Sequence, residues 1–139
     1  MTRLKGYVSN PVEPGGEDSQ PFVALEYIES GTGRLLPGTE LQEKSDATAV
    51  AHQRGDVRFG KLRPYLAKSL LMDAPGIGSG ELLVLRPRPD ALDSRFLWYL
   101  TLSKPFLEWA EVTSYGVKMP RTNWTLLGSW DAWIPGLPA

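Results

Sequence analysis

The sequence predicts an α+β fold, a single compact domain in which a mixed or antiparallel β-sheet is joined by a short helix pair around residues 94–111. Three observations predict it. Short β-rich runs bounded by glycine and proline recur between residues 22 and 87. The apolar spacing then switches to a helical period over 94–111. The chain has 139 residues, 42% apolar and 22% charged, which is the size and composition of one domain with a core of its own.

The elements follow in order. SNPVEPGGEDSQP, residues 9–21, carries three prolines and a glycine pair, so residues 1–21 are expected to be a flexible lead-in to the domain. FVALEYI, 22–28, reads as a strand; SGTG, 30–33, is a turn after which GRLL pairs back. Residues 39–53 are polar and show no clear period. DVRFG, 56–60, alternates, with Val57 and Phe59 on one side and Asp56 and Arg58 on the other. Pro64 interrupts the stretch that follows, making KLRPYL an edge or an extended crossing. KSLLMD, 68–73, and ELLVLRP, 81–87, are strands flanking the turn APGIGSG.

Asp93 or Ser94 caps a helix through RFLWYLTL, with Phe96, Leu97 and Leu100 on one face. Ser103 caps a second, with Pro105 in its first turn and Phe106, Leu107 and Ala110 as the buried stripe. TSYGVKMPRTN, 113–123, is a loop, and WTLLGSWDAWIP supplies one or two final strands. The five tryptophans, all between 98 and 133, are expected in the core.

Composition narrows the function classes. With no cysteine there is no disulfide framework and no thiolate metal site. No stretch reaches the roughly 20 apolar residues of a membrane span, and MTRLKGYVSN has no apolar signal core behind it. A cytoplasmic protein with no membrane association is the expectation.

No convergent catalytic set is visible, so an enzyme is not expected, and neither a catalytic residue, a metal nor a cofactor is assigned. His52 is the one histidine and has no evident partner. GTG and GIGSG lack both the lysine of a phosphate loop and the strand-to-helix setting of a dinucleotide site. Glu26 and Glu29 fall on opposite sides of the expected strand. No His cluster offers zinc spacing.

Charge is unevenly spread. Residues 1–53 hold four cations and eight acids, whereas residues 54–139 hold eleven and eight. Between Arg54 and Lys68 five cations (Arg54, Arg58, Lys61, Arg63, Lys68) alternate with Val57, Phe59, Leu62, Tyr65 and Leu66, with Asp56 as the one acid. The apolar residues would anchor this ribbon in the core while the cations project from its rim. A second such stretch, SYGVKMPRTNW, offers Tyr115, Lys118, Arg121 and Asn123. Lys and Arg neutralise phosphates; Arg grips guanine and Asn grips adenine through paired hydrogen bonds. On charge alone a solvated surface competes with this reading; on the DNA-binding reading the expected contacting set is Arg58, Lys61, Arg63, Lys68, Tyr115, Lys118, Arg121 and Asn123.

In this order and spacing, over about residues 20–135, FVALEYIESGTGRL, GDVRFGKLRPYLAKSLL, SGELLVLRP, RFLWYLTLSKPFLEWA, GVKMPRTNW and WDAWIP resemble a target-recognition domain of the DNA-specificity subunit (S subunit) of type I restriction-modification systems. The resemblance implies a reader of duplex DNA without catalysis of its own. Such a domain reads one short half of a two-part site. A modification subunit using S-adenosylmethionine methylates adenine there, and a translocating restriction subunit joins for cleavage.

By the same resemblance Lys61, Arg63, Lys118, Arg121 and Asn123 lie in motifs at the DNA-facing side, and Gly55, Gly60, Pro64 and Gly116 shape the loops. A full subunit of the family carries two such domains separated by long helices. The sequence stops at IPGLPA, where the family continues through a proline-rich step into a helix. Without that spacer and dimerisation element three readings stay open: an excised piece, a half-subunit whose helix is encoded elsewhere, or a stand-alone relative with a changed role. A homodimer or a missing helical partner is the corresponding partner expectation. The competing reading is an adaptor or decoy of the same fold that docks a methyltransferase without binding DNA; an enzyme on the same scaffold is a third.

Overall fold

The computed structural model describes residues 3–131. Among the described residues eight strands form two four-stranded sheets. The first, in the order β1 (Val8–Ser9), β8 (Leu82–Pro87), β5 (Val57–Gly60), β6 (Ser69–Leu71), is antiparallel throughout. The second runs β3 (Gln42–Lys44), β2 (Gln20–Val23), β7 (Gly76–Gly78), β4 (Val50–His52), with β2 and β7 parallel and the other pairs antiparallel. Helices α1 (Ser94–Thr101), α2 (Lys104–Val112) and α3 (Trp124–Leu127) complete an α+β domain, as the sequence predicts.

One core lies between the first sheet and the helices. Val57, Phe59 and Leu85 from the sheet meet Leu97 of α1, Phe106 and Ala110 of α2 and Leu127 of α3. Phe59 and Phe106 pack edge to face at 5.1 Å, and Phe106 meets Trp130 at 5.4 Å, the arrangement aromatic quadrupoles favour. Trp98, Trp109, Trp124 and Trp130 flank this core, as expected; Trp133 lies outside the described residues. A smaller core of Val23, Ile28, Met72 and Leu82 sits under the second sheet.

β5, β6, β8 and the helix pair lie where the sequence places them, and Asp93 caps α1 by accepting from the Arg95 amide. Ile28 does pair with Leu35 across the SGTG turn. Elsewhere the structure corrects the expectation. β2 stops at Val23 and the chain turns through a 3-10 segment at Leu25–Tyr27. The polar run 39–53 contains β3 and β4, and the supposed turn APGIGSG contains β7. Ser103 precedes α2, but its hydroxyl donates to the Leu100 carbonyl rather than capping. Phe96 is on the outer side of α1, leaving Leu97 and Leu100 to pack inward. WTLL forms α3 instead of a strand, because Asn123 accepts from the Leu126 amide and nucleates a turn. The remainder of the expected final strand segment, at 132–135, lies outside the described residues. Residues 3–9 are part of the fold: Leu4 and Val8 are buried in the main core and β1 edges the first sheet.

The largest departure is Arg58. Strand alternation puts it opposite Val57 and Phe59, but that face of β5 is covered by the second sheet, so Arg58 is fully buried. Its Nη1 donates to the Val50 carbonyl at 2.9 Å, and its Nη2 donates to the Ser79 and Leu82 carbonyls at 3.0 Å each. The close approach needs glycine in β7, since a Cβ on Gly78 would lie 2.7 Å from Arg58 Cζ and 2.9 Å from the Val23 carbonyl oxygen. GIG is thus a packing surface for a guanidinium. Asp56, at the entrance to β5, accepts two bonds from Arg86, at 2.8 and 2.9 Å, and one from the Gln53 amide at 2.8 Å. That fork fixes β8 against the loop before β5, and the Asp56 hydrogen bond is the leading cause raising the Arg86 pKa.

Candidate nucleic-acid interface

β5 leads out of the first sheet into Lys61–Arg63, and α2 leads into 113–123; the two cationic segments then meet. The Arg63 amide donates to the Pro120 carbonyl at 2.7 Å, and the Thr122 amide donates to the Lys61 carbonyl at 3.0 Å. Leu62 pairs with Arg121, and Arg121 pairs on its other side with Tyr115 through two bonds of 3.1 Å. A buried contact between the hydroxyls of Thr113 and Thr122, at 2.8 Å, fastens the base of this arrangement to the end of α2. The Lys61 amide donates to the Glu81 carbonyl at 2.9 Å, tying it to the start of β8.

Segments about 55 residues apart in sequence therefore share one edge. Arg63 reaches across it, donating from Nη2 to the Lys118 carbonyl at 3.1 Å. Its backbone is left-handed, φ 49°, which turns the chain sharply into the 3-10 segment Pro64–Leu66. Arg63, Tyr115 and Lys118 are exposed, and Lys61 and Asn123 are half-buried. Arg121 is held by Glu81, with Nε 3.1 and 3.0 Å from its two carboxylate oxygens. Lys61 and Asn123 also share a cleft of about 340 Å³ with Asn10, Val12 and Trp124.

Six of the eight expected residues thus come together: Lys61, Arg63, Tyr115, Lys118, Arg121 and Asn123. Two do not serve the edge. Arg58 is interior for the reason given above. Lys68 is half-buried and its Nζ donates to the Leu25 carbonyl at 3.2 Å. Asn123 spends its carbonyl oxygen on capping α3. The sequence reading also missed three exposed apolar residues beside the cations. Tyr65, assigned to the core ribbon, is 50% exposed because Pro64 breaks the alternation. Val117 and Met119 stand on the loop itself, 99% and 49% exposed. Glu81, which neutralises Arg121, had no sequence signal since it lies 40 residues away.

His52 is engaged with Arg58 in the interior. It is buried and its Nδ1 lies 2.9 Å from Arg58 Nη1. A guanidinium only donates, so Nδ1 is the acceptor and the ring is neutral. Burial first, and the Arg58 charge second, push its pKa down to about 4. Burial likewise lowers Arg58 to about 10, which leaves it a cation at neutral pH. Among the described residues no group of three His, Cys, Asp or Glu side chains is placed to hold a metal ion, and no helix is long and apolar enough to cross a membrane.

No family model matches the chain. Over 118 residues it is 26% identical to the type I restriction enzyme EcoDI specificity subunit of Escherichia coli, a match that covers 84% of this chain and 26% of that protein. The chain therefore spans about a quarter of the length of its curated relative. Among solved structures, it superposes with a TM-score of 0.72 on the HsdS subunit from Thermoanaerobacter tengcongensis, at 21% identity, covering 92% of this chain and 35% of that one. A chain from a type I R-M system, studied for complex assembly and conformational transition, gives a TM-score of 0.74 with the same identity and coverages. The chain is a homologue of a type I restriction enzyme specificity subunit, has the fold of HsdS, and fits one target-recognition domain.

Proposed function

We propose that this chain is a sequence-specific module for double-stranded DNA, reading a short half-site on behalf of a type I methyltransferase and endonuclease. The observation that carries the reading is the meeting of 61–63 with 115–123 on one edge, in a chain homologous to a specificity subunit. Four cations, Lys61, Arg63, Lys118 and Arg121, stand there, and the Glu81 carboxylate holds one of them, Arg121. Lys61, Arg63 and Lys118 have charge to spend on phosphates, which positions the module. Tyr115 and the free amide hydrogens of Asn123 are the groups suited to base edges, and Arg121 joins them if DNA displaces Glu81.

On this reading the chain contributes recognition and no catalysis. Methyl transfer belongs to a modification subunit and cleavage to a restriction subunit, both working with it in the cytoplasm. One module of this size makes few phosphate contacts, so its own affinity is modest and rises when a helical partner or a second copy brings in another module.

Selection from a randomised duplex library at two ionic strengths tests the proposal. A short enriched motif is expected, with affinity falling steeply as salt rises. Tight, salt-insensitive binding to a methyltransferase with no enrichment of any duplex would instead establish the adaptor reading.

A further inference from the structure

We propose that the 116–119 tip is an apolar wedge, led by Val117, that inserts between adjacent base pairs of the bound duplex. The inference rests on the DNA-reading function proposed above and adds a mode of recognition to it. Val117 is 99% exposed, Met119 49% and Tyr115 66%, on a loop of consecutive residues. Such exposure would mean little on a loose loop, but this one is pinned. The Tyr115–Arg121 pair closes it through two backbone bonds, and the Leu62–Arg121 pair supports it from beneath. Arg63 holds it at two points, through the Pro120 and Lys118 carbonyls. Gly116, at φ 111°, makes the turn tight: a Cβ there would lie 3.3 Å from the Met119 carbonyl oxygen. A rigid projection that presents a valine to water gains most when something covers it.

The surroundings choose the occupant. Lys118 is exposed within the tip and Arg63, which donates to its carbonyl, is exposed beside it, while the Glu81 carboxylate is engaged by Arg121. Even with Tyr65, the four exposed side chains Tyr65, Tyr115, Val117 and Met119 fall far short of the area of a stable protein interface. A wedge into DNA needs only one or two apolar side chains, provided flanking cations hold the backbone. Unstacking costs least at pyrimidine–purine steps such as TA and CA, so the tip would prefer such a step without any hydrogen bond to its bases.

The test uses the 139-residue chain with Val117→Ser and Val117→Leu. The probe is a duplex carrying the selected site, with 2-aminopurine at the central step and a fluorophore pair at its ends. The parent and the Leu variant should raise 2-aminopurine emission and shorten the end-to-end distance. The Ser variant should lose both, and lose about five-fold or more of the preference for a TA step over a GC step. Its salt slope should not change, because no charge has been altered. A Ser variant that unstacks, bends and discriminates like the parent overturns the wedge, and so does a parent that binds tightly without unstacking; both leave DNA reading intact. If the parent enriches no duplex at all, the proposed function fails and the wedge with it. Circular dichroism of each variant should match the parent, since Val117 touches no core.

Discussion

Arg58 donates to the Nδ1 of His52 at 2.9 Å, so a buried cation fixes the tautomer of a buried neutral histidine between the two sheets. The same guanidinium gathers three backbone carbonyls, from Val50, Ser79 and Leu82. Those groups belong to β4, the turn after β7, and β8, so one side chain on β5 links both sheets. Removing it strands the acceptors away from water. Arg58→Ala is expected to destabilise the fold by about 3 kcal/mol or more, and Arg58→Lys should restore little because an ammonium cannot serve four acceptors in that fork. Urea denaturation of the three proteins measures both.

His52 gives the domain an acid sensitivity. Its pKa in the folded state is about 4 against 6.5 for the free side chain. Between those values the unfolded chain takes up a proton that the folded one refuses, so stability rises with pH across this window. The contribution is fully present above about pH 6.5 and is lost as pH falls through 4. Its size is about 3 kcal/mol over that range. Unfolding free energies measured from pH 7 to pH 4 should show this loss, and His52→Gln should flatten it.

Gly78 and Gly80 differ in what surrounds them, and alanine separates the two. A Cβ at 78 would meet the Arg58 guanidinium and the Val23 carbonyl oxygen at under 3 Å, whereas a Cβ at 80 would meet nothing within 4 Å. Gly78→Ala should cost roughly 1–3 kcal/mol and Gly80→Ala almost nothing. Thermal melts compare them directly.

Charge at the edge should govern DNA affinity in both directions. Lys61→Ala and Arg63→Ala are expected to weaken binding to all duplexes and to reduce the salt slope by about 1 each. Glu81→Gln releases Arg121, so it should strengthen binding and steepen the slope by a similar amount. Fluorescence anisotropy at several salt concentrations reads these changes. Asn123→Ala combines two effects. Loss of the α3 cap costs about 1 kcal/mol of stability, and preference among sites should shift more than overall affinity.

The parts of this fold that a sequence shows best are those whose side chains sort by one covered face. α1 and α2 have helical stripes and a capping aspartate, and their positions follow from these. Strands β4 and β7 do not sort in that way. VAH and GIG look polar or turn-like because their buried faces receive Arg58 and the backbone of neighbours rather than large apolar side chains. The same fact hid the role of Arg58: on a strand buried on both sides, alternation separates two interiors, not inside from outside. At the candidate interface, residue types and spacing marked out the two cationic segments, but their meeting depends on long-range pairs such as Leu62 with Arg121. Which cations are free depended on Glu81 and Leu25, distant partners that no local pattern announces.

Amide chemical-shift mapping during titration with the selected duplex tests the central claim most directly, because it asks where on the molecule DNA sits. Shifts should concentrate at 61–65 and 115–123. Shifts gathered instead at the opposite end of β5 and β8, around Arg54, Arg88 and Arg95, would contradict the account.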